Sequence, residues 1–451
     1  MAGAATAAAA GAAGAAGDGG VAVSPCQDPL VFADAALDLA VHTYNNLPAG
    51  PISAATAATL TQVQAPSRDI KTLDGLQCLP RLRTFGAQSN LITDLSPLAN
   101  LTELEDLALD NNRVESLVAL SGLPQLTTLS LYNNPVSDLT PIANAKSLTT
   151  LQASSTPIAD LTPLAGLSEL SNIEIAAAQI TSLAPLTNLT KLTYLTVGNN
   201  PIEDVTPLAS LSQLQVLNVA AAAVSDLAPL ANLTNLQQLY LQQNDIVDVT
   251  ALFKLTKLQT LALSENAISD VSTLANLTAL EDLELSGNQI SSVAALAPLT
   301  SLTTFAVAFN QLTDLSVVSK FTELFSIDAA ANQIQDITPL AGLTKLAAVA
   351  LSNNQIADIT PVAGLKALNY LYFASNEVAD LTPLQSLPSL VLVLCGNNHI
   401  ADLTPIAKNL DLDTGDGVNL QNQQPAIDCT AEAANIATIK QRGVTLTVDC
   451  P

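Results

Sequence analysis

Leu368–Ser389 reads LNYLYFASNEVADLTPLQSLPS. Leu368, Leu371 and Phe373 stand in an apolar L-x-x-L-x-L spacing, which predicts a short strand with alternate side chains buried. Asn376 ends that strand, and Val378 adds one more core position. Asp380-Leu381-Thr382-Pro383-Leu384 then predicts a capped helical turn, with Asp at the N-cap and proline tolerated in the first turn. Leu387 closes the unit and Leu390 opens the next. Neither half can bury its apolar face alone, so the segment is stable only when stacked on copies of itself.

Copies run through most of the chain. In steps of 22 from Leu60, leucine recurs at Leu82, Leu104, Leu126 and Leu148 and so on to Leu390, with no insertion. Residues 60–411 therefore form sixteen stacked units. A chain of 451 residues would ordinarily divide into two or three domains, but this one grows by stacking.

The pattern L-x-x-L-x-L-x-x-N-x-I-x-D-[LIV]-x-P-L-x-x-L, held from about residue 60 to 409, resembles the 22-residue leucine-rich repeat of bacterial internalins and of phosphatase regulators. The expected fold is an α/β solenoid, a horseshoe or arc with a parallel sheet on its concave face. Sixteen strands at ~4.8 Å spacing would stretch roughly 75 Å. The scaffold serves many unrelated partners, so the resemblance specifies a fold rather than an activity.

The formal charge of −25 and the scarcity of lysine and arginine argue against nucleic acid, whose binding rests on neutralising phosphates. An acidic surface favours solubility and steers basic partners. No run of bulky apolar residues is long enough to predict a membrane span.

Residues 1–24 begin with a low-complexity Ala/Gly stretch that predicts disorder. It lacks the basic start and bulky apolar centre of a secretory signal, so a signal or anchor is expected outside this chain. Residues 25–59 predict a helical N-terminal cap like that of internalins, needed because the first unit would otherwise expose an unpaired, apolar edge. Asp28 and Pro29 read as N-cap and first helical residue, with Leu30, Ala33, Leu37, Ala40, Val41 and Tyr44 as the apolar stripe. Ile52-Ser53 starts a second short helix running to about Ala58.

Residues 412–451 predict a C-terminal cap. Asn419-Leu420 resembles a last strand, Thr430 caps a helix that Gly443 ends, and Val444 to Val448 returns as a strand. Cys429 and Cys450 bracket that helix and are expected to staple the cap. Cys26 and Cys78 are the natural second pair, joining the N-terminal cap to the first unit. Cys395 falls on a core position and is expected to be a buried free thiol. Cysteines paired at the caps point to an oxidising compartment. The chain is thus expected to be extracellular, at the cell surface or periplasmic.

Two polar positions recur. Asparagine holds one at Asn90, Asn112, Asn134 and Asn200, and at every step from Asn244 to Asn398. An amide both donates and accepts, so it can join neighbouring units by bonding turn backbone. Arg68, Thr156, Ala178 and Ala222 interrupt this series. Aspartate holds the other position, for example at Asp94, Asp138, Asp336 and Asp402, with Thr72, Ser116, Ser182 and Ser292 substituting. Hydroxyls could not replace carboxylates so freely in a calcium ladder, so these are read as caps.

Nothing assembles into catalytic chemistry. His399 has no triad-like companions, and Asp413-Thr414-Gly415 has no second copy, as an aspartic protease would need. Asp411 to Gly417 is calcium-loop-like but carries Asn422 where a bidentate Glu is expected, so a plain turn is preferred. Two histidines and no C-x-x-C give no zinc site. Neither a metal nor a cofactor is expected. The N-L-T sequons at Asn100, Asn188, Asn232 and Asn276 come with the repeat itself.

The expected activity is therefore non-enzymatic binding of a protein ligand by a monomeric module. Residues between the strand leucines point to the concave side. Tyr194, Tyr240, Tyr370 and Tyr372 fall there, Tyr132 lies at a strand end, and Phe309 and Phe325 join them; Phe309, Phe325, Tyr370 and Tyr372 are expected to cluster with Val391, Leu392 and Leu394. Exposed aromatics on a rigid sheet are typical interface anchors. Glu281, Asp282, Glu284 and Asp328 share the surface and suit a basic or amphipathic partner. The alternative is an intracellular regulatory scaffold resembling the phosphatase regulators, with its cap cysteines reduced.

Overall fold

A computed structural model describes residues 25–450; the Ala/Gly-rich stretch expected to be disordered lies outside them. The strands are β1 Gln62–Gln64, β2 Thr84–Gly86, β3 Asp106–Ala108, β4 Thr128–Ser130, β5 Thr150–Gln152, β6 Asn172–Glu174, β7 Tyr194–Thr196, β8 Val216–Asn218 and β9 Gln238–Tyr240. They continue as β10 Thr260–Ala262, β11 Asp282–Glu284, β12 Thr304–Ala306, β13 Ser326–Asp328, β14 Ala348–Ala350, β15 Tyr370–Tyr372, β16 Leu392–Leu394, β17 Gly417–Asn419 and β18 Thr445–Thr447. Each pairs in parallel with its sequence neighbours, making one open sheet of eighteen strands. This is the expected arc, with the sheet lining its concave side.

The strands are short because the chain leaves the sheet at a fixed point. Five residues after each strand start from β2 to β16 the backbone turns left-handed, at Asn133 with φ 53°, Ala221 with φ 49° and Gly287 with φ 69°. The middle residue of a strand, such as Leu371 or Val393, points into the core and is fully buried. The return path is mostly a short 3₁₀ turn, as at Thr382–Leu384, rather than a full helix. Asp380 accepts from the Thr382 N–H at 2.7 Å, and Ser292 does the same for Ala294 at 3.3 Å. The aspartates therefore bond the first turn N–H as caps do, but from two positions before the residue that opens the turn, the N-cap position itself being held by Leu381. The Thr140 hydroxyl and N–H hold the Asp138 carboxyl below its ordinary 3.8.

Asn376 shows how units are joined. Its side-chain oxygen accepts from Ile356 N at 2.9 Å, and its amide nitrogen donates to the Leu351 and Phe373 carbonyls at 3.0 Å. One buried amide thus satisfies three backbone groups in two units. Gln423 extends the ladder into the C-terminal cap, accepting from Ile400 N at 3.0 Å and donating to Cys395 O at 2.9 Å. The step there lengthens, since Gly417 lies beside Leu392 rather than 22 residues further on.

The interruptions leave real gaps. Thr156 spends its single hydroxyl proton on Ala153 O, inside its own turn, and Ala178 and Ala222 have no polar side-chain atom. Residues 148–235 should therefore exchange amide hydrogens faster than 258–365. Ala178→Asn should stabilise the protein by about 1 kcal/mol by restoring such bonds. Equal protection of the two regions in native-state exchange would refute this.

Both caps depart in part from expectation. The first helix, α1, is Ala35–Tyr44, and its N-cap is Asp34, which accepts from Ala36 N and Leu37 N. Asp28 instead accepts from Ala54 N at the start of α2 (Ala54–Ala57), whose N-cap Ser53 is as expected. Leu30 is not helical but pairs with Ile52 in an antiparallel bridge, while Ala33 and Tyr44 are exposed. At the other end α3 (Thr404–Lys408) and α4 (Ala433–Gln441) pack together. Asp428, not Thr430, caps the approach to α4 by accepting from Thr430 N and Ala431 N. Arg442 donates to the carbonyls of Ile406, Ala407 and Asn409, completing the end of α3. Cys26–Cys78 and Cys429–Cys450 are bonded, and Cys395 is free and buried.

Candidate recognition surface

The first and third residues of each strand face inward along the arc. Tyr194 and Tyr370 hold first positions; Tyr240 and Tyr372 hold third positions, all on one face and none in the interior. Tyr370 and Tyr372 are in ring contact, with centroids 6.5 Å apart and planes tilted by 40°. Around them Ala348, Ala350, Leu392 and Leu394 are register partners, so the sheet is apolar there.

The other aromatics are dispersed. Phe325 immediately precedes β13 and Phe309 lies beyond the end of β12, so they flank opposite ends of the strands and do not form the expected cluster. Phe309 is 67% exposed and sits at the left-handed turn position with φ 53°, where the preceding unit has Gly287. A bulky side chain in that region is strained. Tyr132, 45% exposed, lies just past β4; its N–H donates at 2.9 Å to Asp110, which also accepts from the Ser130 hydroxyl.

Charge is distributed just as unevenly. Across β1 to β18 no inward strand position holds lysine or arginine. Arg83, just before β2, is bound to Glu103 and Glu105 at 3.4 and 3.1 Å. Glu174 is engaged by Gln152 at 3.1 Å. Glu281, Asp282 and Glu284 are different: among the described residues, no ion pair or hydrogen bond reaches their carboxylates. Burial, then Tyr194, Glu284 and Asp282 in turn, push the Tyr240 phenol above its ordinary 10.0. Asp328 has one oxygen engaged, accepting from Ala330 N at 3.1 Å.

Two further groups escaped the sequence reading. Asn172 Oδ1 on β6 and Gln242 Oε1 just past β9 are buried acceptors without a hydrogen-bond partner. Their residue types give no warning, because an amide is ordinarily satisfied when buried.

Among the described residues no helix is long and apolar enough to cross a membrane. No curated protein sequence matches the chain. The Leucine rich repeat model matches residues 234–290, and the Leucine Rich repeats (2 copies) model matches 80–122 and 102–144. A leucine-rich repeat protein of Leptospira interrogans is similar in fold, with a TM-score of 0.74 and 22% identity over 81% of this chain and 97% of its own. The leucine-rich repeat ectodomain of an Arabidopsis thaliana receptor kinase, solved in complex with Casparian strip integrity factor 2, has a TM-score of 0.63 at 17% identity over 87% of this chain and 58% of its own. A solved internalin of Listeria monocytogenes is 31% identical over 77% of this chain and 98% of its own, with a TM-score of 0.64. With its 22-residue register and capped arc, the chain belongs to the internalin-like family of leucine-rich repeat proteins.

Proposed function

We propose that this protein is an exported, non-enzymatic recognition module that holds a basic or amphipathic protein partner against its concave face. The observation that carries the reading is the inward surface from β9 to β16, where tyrosines, alanines and leucines adjoin unpaired carboxylates and no basic side chain intervenes. Aromatic anchors supply contact area at low entropic cost, and the carboxylates supply steering. A stacked scaffold loses little freedom on binding, which favours affinity. The leucine-rich repeat fold commonly mediates protein binding, as in the receptor ectodomain held in complex above.

Export is supported by the two disulfides, each at a cap. Replacing Phe325, Tyr370 and Tyr372 together with alanine should reduce capture of surface proteins at least about tenfold, since each anchor is worth on the order of 1 kcal/mol or more. Unchanged capture by a variant with an unchanged melting curve would move the site off the concave face.

A further inference from the structure

One row of the inward face has a repeat of its own. The register places the third residues of β9 to β15 in line, and large residues take alternate strands: Tyr240, Glu284, Asp328, Tyr372. Ala262, Ala306 and Ala350 stand between them. Adjacent strands are ~4.8 Å apart, so the large side chains project every ~9.6 Å with a shallow notch between each pair.

We propose that this row seats an extended basic segment of a partner protein in polyproline II conformation, with cationic side chains three residues apart at Glu284 and Asp328 and the flanking turns held by Tyr240 and Tyr372. This rests on the concave-face reading above and adds the partner's conformation and spacing to it.

The pitch decides between backbones. A polyproline II helix returns to the same face every three residues, a rise of about 9.3 Å. An ordinary strand returns every two residues, after about 6.6 Å, or every four, after about 13 Å. An α-helix approaches the pitch only at seven residues, about 10.5 Å. The chemistry is complementary as well. Both central groups are carboxylates, Glu284 is unpaired and Asp328 keeps one oxygen free. A guanidinium or ammonium brings donors and no acceptor, which is what this surface lacks.

The test uses fluorescein-labelled thirteen-residue peptides on a proline-rich polar frame, carrying two arginines two, three or four residues apart, and an alanine-rich helical peptide with arginines seven apart. Anisotropy titrations at fixed salt against the full-length protein should give the three-residue spacing an advantage on the order of fivefold. Glu284→Gln with Asp328→Asn, which keeps the acceptor for Ala330, should abolish that advantage. Equal binding at all spacings, preference for the helical peptide, or no binding at all would overturn the proposal. If spacing does not matter but the Phe325, Tyr370 and Tyr372 triple substitution still weakens peptide binding, the concave-face reading stands and only the row is wrong. If neither set of substitutions has an effect, both fall.

Discussion

Phe305→Ala should destabilise the protein by about 3–5 kcal/mol, the cost of emptying a phenylalanine site in a closed core. Phe305 is the middle residue of β12 and is fully buried; its ring meets Phe321 edge-on, with centroids 5.4 Å apart and planes at 79°. The pair ties the two halves of one unit together, because Phe321 follows the return turn of β12 at the position where Leu387 closes its own unit. Neighbouring strands carry Leu283 and Ile327 at the same position. Phe305→Leu should therefore cost far less than the alanine change, leaving a smaller void. In a solenoid the damage is also local: stability is a sum over units and their junctions, so one weakened unit separates the two flanks. Urea unfolding of Phe305→Ala should consequently show a lower midpoint and a shallower slope. A single transition with wild-type midpoint would mean that the ring pair does not hold its unit together.

Loss of the disulfides should have an effect of similar size, placed at the ends. Cys26–Cys78 spans 52 residues and Cys429–Cys450 spans 21. In the chain-entropy picture these closures are worth about 4 and about 3 kcal/mol. Replacing each pair by serine should expose α1 or α4 to rapid hydrogen exchange before the central strands open, and removing both should lower the melting temperature by more than either alone. Burial pushes the Cys395 thiol well up from its ordinary value, and the side chain is fully enclosed. Its labelling by a thiol reagent therefore reports opening of the β16 region. Melting unaffected by loss of both bonds would show that the caps are held by packing alone.

The units were legible because their signals repeat. Leu371 means little alone, but the same residue type at a fixed step specifies which face is buried, and the asparagine and aspartate positions follow from that register. The ends carry no such redundancy. Asp28-Pro29 has the local chemistry of a helix start, yet Asp28 serves α2 across a gap in sequence, and Leu30 takes a partner, Ile52, that only the tertiary fold supplies. Thr430 was outcompeted by Asp428 two residues earlier, a stronger acceptor in the same turn. The surface was half legible. Strand alternation placed Tyr240 and Tyr372 together, but it fails past the last strand residue, where the left-handed turn carries Phe309 away from the sheet. The unpaired Gln242 acceptor could not be foreseen, since satisfaction depends on neighbours rather than residue type.

The uninterrupted step from β1 to β16 also governs how such a gene can change. Excising 22 codons between equivalent points rejoins a strand to a successor of the same register, so recombination between copies can shorten or extend the arc without disturbing its joints. A loss of any other size would shift buried and exposed positions for everything downstream. Length is therefore the dimension in which this molecule is free to vary, and the reach of its inner wall would be adjusted one whole unit at a time.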